Sequence, residues 1–201
     1  MPGIDNVGAA FKAFMGSISH ERKAIISTLN NGFEGWLKLE FYTWLIQAYD
    51  LDYTAAHYHD RDAGMEYTID LDQRFAAIDR TTKQCDLWVR DGETSKYHYI
   101  ELKAPFANTN QGKLMQSAAD DYWYMSRLKA STELVTTGSA IVFGVGFLDN
   151  ATVAAAQNTQ VDSWQKHIDY VRIYSGLSTE LTLSDESEHK AIKWAVLTHR
   201  Y

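Results

Sequence analysis

The chain is poor in cysteine, in proline and in basic charge, and each shortage excludes something. Cys85 is the only cysteine among 201 residues. No internal disulfide can therefore form, and a reducing, cytoplasmic setting is expected. Pro2 and Pro105 are the only prolines, so nothing reads as a rigid linker between domains. The sequence lacks the long apolar run of a membrane-spanning helix. Its opening, Met1-Pro2-Gly3-Ile4-Asp5, has neither the basic stretch nor the apolar segment of a secretory leader. There is no internal repeat, no Walker-type loop and no Gly-X-Ser-X-Gly turn. Gly144-Val145-Gly146 has Asp149 where a dinucleotide loop needs its third glycine. Lys and Arg total 19 against 26 Asp and Glu, a net charge of −7, which counts against nucleic acid if the acid is spread evenly. It is not: Asp50 to Arg80 holds eight acids and three bases, so −5 of the −7 lies in that stretch.

What is present suits one folded domain. Hydrophobic residues make up 45% and aromatic residues 13%, enough for a substantial core and far from a disordered composition. Val7, Phe11, Phe14 and Met15 fit a short amphipathic helix. Ser19 reads as the N-cap of a second helix reaching about Leu29 and stopped by Asn30-Asn31-Gly32. A third helix runs from about Phe33 to Tyr49. Met65–Leu71 and Arg74–Ile78 read as strands. Cys85–Arg90 and Lys96–Lys103 form a hairpin around Asp91-Gly92-Glu93-Thr94-Ser95, and Ala104-Pro105 ends it. A helix from Lys113 to Lys129 follows. The apolar run within Ser139–Leu148 predicts a strand covered on both faces. Asp162 is expected to cap a helix over Ser163–Tyr174, and Thr179–Leu183 and Ala191–His199 add strands. The fold class expected is α/β, a mixed central sheet flanked by helices on both faces. It is read as one domain over 1–201, with an N-terminal helical part (1–32), a central core (33–148) and a C-terminal helix and strands (149–201).

Carboxylates stand in two places where they are costly. In the third helix Phe33, Trp36, Leu37, Phe41, Trp44 and Leu45 make an apolar stripe with Glu40 in its middle. Glu34 and Lys38 fall on the outer side. A buried glutamate needs a partner, either a metal or a base such as arginine, unless Glu40 sits at the edge of the stripe. In the hairpin, Tyr97, Tyr99, Glu101 and Lys103 share one face. If Gly92–Ser95 is the loop, cross-strand residue numbers sum to 187 and Asp86 lies opposite Glu101. Facing like charges destabilise a hairpin, and a hard divalent cation between them reverses that sign. Lys103 then stands beside the cation. Such a set suits phosphodiester hydrolysis, because the metal lowers the pKa of a bound water and the lysine stabilises developing charge. Glu-X-Lys alone occurs by chance about once in such a length. Here it comes with a strand setting, a paired Asp86 and an upstream helical Glu40.

Helical Glu40, then Asp86 on a strand, then Glu101-Leu102-Lys103 on the next, resembles the PD-(D/E)XK nuclease superfamily. That is the restriction-endonuclease-like fold, which includes archaeal Holliday-junction resolvases and many repair nucleases. The resemblance covers about Phe33 to Lys129. It implies that Asp86, Glu101 and the Leu102 carbonyl bind Mg²⁺, with Mn²⁺ as a substitute. It implies that Lys103 is the catalytic lysine and that Glu40 acts on the metal directly or through water. Cys85 stands where some members have proline. Gln116 matches a glutamine some members place near the site, although Asp120 stands where a tyrosine often follows. Lys113 and Lys129 are further substrate-binding candidates on the helix after the motif. The function expected is thus a metal-dependent nuclease acting on nucleic acid, DNA foremost, in a chain that could form a homodimer and does not enter the membrane. The alternative is a catalytically silent nuclease-like binding module, such as an acidic partner of a basic protein. His57-Tyr58-His59 reads as a solvated loop, and Cys85 as a core thiol.

Overall fold

The structure, a computed structural model, describes residues 3–29, 33–57, 60–74, 79–107, 110–131, 134–148, 163–176, 179–184 and 191–201. Local chemistry sets the helix ends. The Asn6 side chain accepts from Ala9 N and starts α1 (Val7–Ser17). Ser19 does the same for Arg22 N and α2 (His20–Ile26). α3 spans Glu34–Tyr49. Its buried ridge, Phe33, Leu37, Phe41 and Leu45, repeats every fourth residue, the spacing that aligns side chains on one helix face. α4 spans Gln111–Met125, shorter at its C-terminal end than the expected run to Lys129. α5 spans Trp164–Ser175, capped by the Ser163 hydroxyl and closed by Gly176 in the left-handed region. The stop at Asn30-Asn31-Gly32, the strand over residues 75–78, the cap at Asp162 and residues 58 and 59 lie outside the described residues.

The strands are β1 (Ala63–Asp70), β2 (Thr82–Arg90), β3 (Tyr97–Lys103), β4 (Val135–Val145), β5 (Glu180–Leu183) and β6 (Ile192–Arg200). They form one six-stranded mixed sheet in the order β1-β2-β3-β4-β6-β5. β3 and β4 run parallel, joined through α4, and every other neighbouring pair is antiparallel. A parallel pair needs such a crossover, whereas the antiparallel pairs β1–β2, β2–β3 and β5–β6 close with shorter connections.

β4 carries the logic of the two-sided core. Ile141, Phe143 and Val145 face α1, α2 and α3 with Leu87, Ile100, Leu102 and Trp194. Ala140 and Val142 face α4 and α5 with Ala195 and Leu197. A third cluster, including Cys85, Tyr97, Tyr99, Met125 and Leu128, closes the α4 side near β1. Gly138 lets α4 approach, since a Cβ there would run into the Met125 carbonyl oxygen. The fold is therefore α/β with helices on both faces. β4 and β6 pair over nine residues and α1 packs on β6, so the central and C-terminal segments share one sheet and the N-terminal helices pack against it. Among the described residues no helix is long and apolar enough to cross a membrane.

Candidate functional site

The hairpin fixes the site. Asp91 Oδ1 accepts from the backbone N–H groups of Glu93 and Thr94, and Asp91 N donates to Lys96 O. This turn sets the register Arg90↔Tyr97, Val89↔His98, Trp88↔Tyr99 and Leu87↔Ile100, all summing to 187. Continuing it by one residue brings Asp86 beside Glu101. The backbone ladder stops there. Asp86 Oδ2 accepts from Leu102 N at 2.8 Å, so a side-chain carboxylate takes the place of a backbone acceptor.

The reason lies in a break on the other side of β2. Met65 pairs with Leu87 and Tyr67 with Cys85, but Glu66, between them, has φ 56°. A left-handed glutamate in a strand costs on the order of 1 kcal/mol or more. Alternation fails across this point. Cys85 packs on the α4 side while Leu87 packs on the α3 side. Two residues of equal parity thus face opposite ways, and Glu66 and Asp86 are both turned onto Lys38 of α3. Lys38 Nζ lies 2.7 Å from Glu66 Oε1 and 3.2 Å from Asp86 Oδ1.

A second chain of ion pairs runs across the α4 side. Lys83 Nζ lies 2.9 Å from Glu101 Oε1 and 3.0 Å from Asp121 Oδ1. Asp121 Oδ2 lies 3.1 Å from Lys103 Nζ, which is 3.6 Å from Glu34 Oε1. The other oxygen of Glu34 accepts from Ala104 N, tying α3 to the end of β3. The two chains meet at a cleft of about 300 Å³ lined by Glu66, Arg80, Lys83, Gln84, Asp86 and Glu101. Five carboxyl groups face three lysines.

Burial decides how these groups ionise. It is the largest influence on Glu101 and pushes its pKa up. Lys83 opposes that, but Asp86 and Asp121 add to it, and the outcome is a raised pKa. Burial also works to lower Lys83, yet Glu101 and Asp121 outweigh it and keep the ammonium charged. The same balance holds for Lys103, where Asp121 and Glu34 overcome burial and raise its pKa. Lys103 is therefore a cation and not a general base. Glu101 Oε2 is buried with no hydrogen-bond partner among the described residues. A carboxylate oxygen in that condition suits a cation, and with Asp86 on the same cleft the donor set is the hard-oxygen kind a divalent ion takes.

The structure brings Asp86, Glu101 and Lys103 into this network, with Leu102 between them. It does not bring Glu40. Glu40 lies about 200° around α3 from Lys38, in the row of Trp36 and Trp44, and pairs with Arg22 at 3.2 Å in a half-exposed setting. The acid that α3 supplies is Glu34. Gln116 also turns elsewhere, donating to Asp120 Oδ1 and accepting from the Tyr170 hydroxyl. Lys113 is exposed on the first turn of α4. Lys129 lies past the end of that helix, where its N–H donates to Asp70 O. Cys85 is a buried thiol whose pKa burial raises, as a core residue should be.

Lys83, Asp121, Glu34, Lys38 and Glu66 are the residues the sequence reading passed over. Glu34 and Lys38 carried a signal, being four apart on one helix face. Asp120-Asp121 carried another, a charge doublet inside an apolar helix pattern, of which one member must turn inward. Glu66 carried none, because its left-handed backbone is a property of the folded sheet. No protein-family model, curated protein or solved structure matches the chain.

Proposed function

We propose that the chain is a metal-dependent phosphodiesterase of the PD-(D/E)XK kind, acting on nucleic acid, DNA foremost. The observation that supports it most is the orphaned Glu101 oxygen beside Asp86 on an acid-rich cleft, with a lysine cation two residues along the same strand. Asp86, Glu101 and the Leu102 carbonyl would hold Mg²⁺ or Mn²⁺. The bound ion would polarise a phosphoryl oxygen and make a nearby water acidic enough to attack. The chain's own part is positioning and charge. Asp121 and Glu34 hold Lys103 protonated and in place, where it stabilises negative charge that builds on the phosphorane. Lys83, pinned between Glu101 and Asp121 and only 7% exposed, fixes the Glu101 carboxylate.

The rival reading, an acidic binding module, rests on the stretch from Asp50 to Arg80. Five of its eight acids have partners within the chain, although only Asp62 and Asp72 are buried. Asp62 pairs with Arg90, Asp72 with Arg74 and Glu66 with Lys38, while Asp52 accepts from Thr54 and Asp79 from the Tyr124 hydroxyl. The two readings separate in one experiment. Single-turnover cleavage of single-stranded, duplex and branched DNA and of RNA, with and without Mg²⁺, should show a cut that needs the metal. Lys103→Ala should slow it by a hundredfold or more, about 3 kcal/mol, with little change in substrate affinity. Wild-type cutting by Lys103→Ala, or no metal-dependent cutting of any substrate, would overturn the proposal.

A further inference from the structure

A second cleft, of about 510 Å³, lies against the first. It is lined by Asp79, Arg80, Asp120, Trp123, Tyr124 and Tyr174. Arg80 lines both clefts, so the two are joined through a guanidinium whose side chain is half exposed. Three aromatic rings from α4 and α5 form its wall, and Tyr174 is 44% exposed.

These rings are held, not loose. The Tyr124 hydroxyl donates to Asp79, and the Tyr174 hydroxyl is hydrogen-bonded to Asp120. Asp120 in turn accepts from Gln116, and Gln116 accepts from Tyr170. The Arg127 guanidinium lies 4.0 Å from the Trp123 ring centroid and that of Arg80 lies 4.0 Å from Tyr124. Each phenol is thus tied at its polar end. What the cleft offers is fixed ring surface with one half-exposed cation between it and the carboxylates of the first cleft. Aromatic faces plus arginine are the recurring means of holding an unstacked base while its backbone passes a charged groove.

We infer that this second cleft seats an unstacked nucleobase of a single strand, with Arg80 on the adjoining phosphate, and so directs that phosphate toward Asp86 and Glu101. The inference rests on the phosphodiesterase reading and adds the substrate class. A duplex keeps its bases stacked and leaves the cleft empty; a single strand, a flap or a splayed end fills it. Gln116, which the sequence singled out, acts here as a positioning residue for Tyr174 through Asp120.

The test is binding in Ca²⁺ and again in EDTA, read by fluorescence anisotropy. The probes are a labelled mixed-sequence DNA single strand, the duplex made from it, and deoxyadenosine monophosphate as competitor. The single strand should bind better than the duplex in both buffers. Tyr174→Ala and Trp123→Phe should weaken single-strand binding, Tyr174→Ala by about tenfold, and leave duplex binding unchanged. Duplex binding as tight as the single strand's, or unchanged single-strand affinity in Tyr174→Ala, overturns the inference. So does competition by the monophosphate at the strand's own affinity, which would make the occupant a free nucleotide. If wild-type protein cuts nothing with Mg²⁺ yet keeps the strand preference and its loss in Tyr174→Ala, the phosphodiesterase reading falls and the base site stands. Cutting without strand preference gives the reverse.

Discussion

At the scale of single residues, Glu101 carries the tension of the site. It is buried, it shares its lysine with Asp121, and one of its oxygens has no partner. Burial raises its pKa above the ordinary glutamate value of 4.5. The folded protein therefore holds a proton there that the unfolded chain has released, so metal-free stability falls as pH rises above that value. Glu101→Gln keeps the shape and removes the titration. The variant should lose this slope and, without metal at alkaline pH, melt a few degrees higher than wild type, the shift expected of ~1 kcal/mol in a chain of this size. Thermal melts from pH 5 to 9 in EDTA check it. A variant less stable than wild type throughout that range would show that Glu101 holds the fold through Lys83. Turn length sets the register that brings Asp86 beside Glu101, and strand parity puts Lys103 on the Glu101 face, so that much of the arrangement was readable in the sequence; the break at Glu66 that turns Asp86 onto Lys38 was not. The lysine that answers Glu101 was not readable. Lys83 sits at the start of β2, and only the approach of Asp121 from α4 makes it part of the site.

At the scale of elements, α3 shows why periodicity identified a helix and yet pointed to Glu40 rather than to the row that meets the ion-pair network. Phe33, Leu37, Phe41 and Leu45 form the buried ridge, and two half-buried rows flank it: Glu34, Lys38 and Tyr42 on one side, Trp36, Glu40 and Trp44 on the other. Hydrophobicity favours the tryptophan row as the one to bury, which made Glu40 look intrusive. Which flank meets the strand ends depends on how α3 lies across the sheet, and the helix sequence alone does not state that. The kinked pair Glu66 and Asp86 on neighbouring strands rewards the charged row, since Lys38 reaches both. Glu40→Gln breaks only a half-exposed pair with Arg22, worth at most about 1 kcal/mol, and should leave cleavage within about twofold. Glu34→Gln loosens Lys103 and the end of β3 together and should cost about tenfold in rate, between silence and the effect of Lys103→Ala. Single-turnover rates for the two variants side by side decide it. A larger loss in Glu40→Gln than in Glu34→Gln would return the role to Glu40.

At the scale of the whole molecule, net charge and site charge pull together. The chain is −7 and the site itself carries five acids against three lysines. A polyanion approaching such a surface meets repulsion until a divalent cation offsets the carboxylates. Binding should therefore depend on the cation more than on salt. Among the described residues Arg80 and Lys83 line the first cleft and Lys103 and Lys38 stand beside it; Lys38 is already held between Glu66 and Asp86, so about two or three contacts are available. The slope of log K against log salt should be shallow, about −2 for a single strand at ~0.7 per phosphate. Addition of Ca²⁺ should raise affinity by tenfold or more, and Asp86→Asn should abolish that gain while leaving the slope in EDTA unchanged. A basic DNA-binding face would give the opposite pattern, a steep slope and indifference to the cation. Titrations of one labelled strand across salt, with and without Ca²⁺, in wild type and Asp86→Asn, distinguish the two. A steep slope would mean that the strand is held by a surface away from these clefts, because the few cations near the carboxylates cannot produce it.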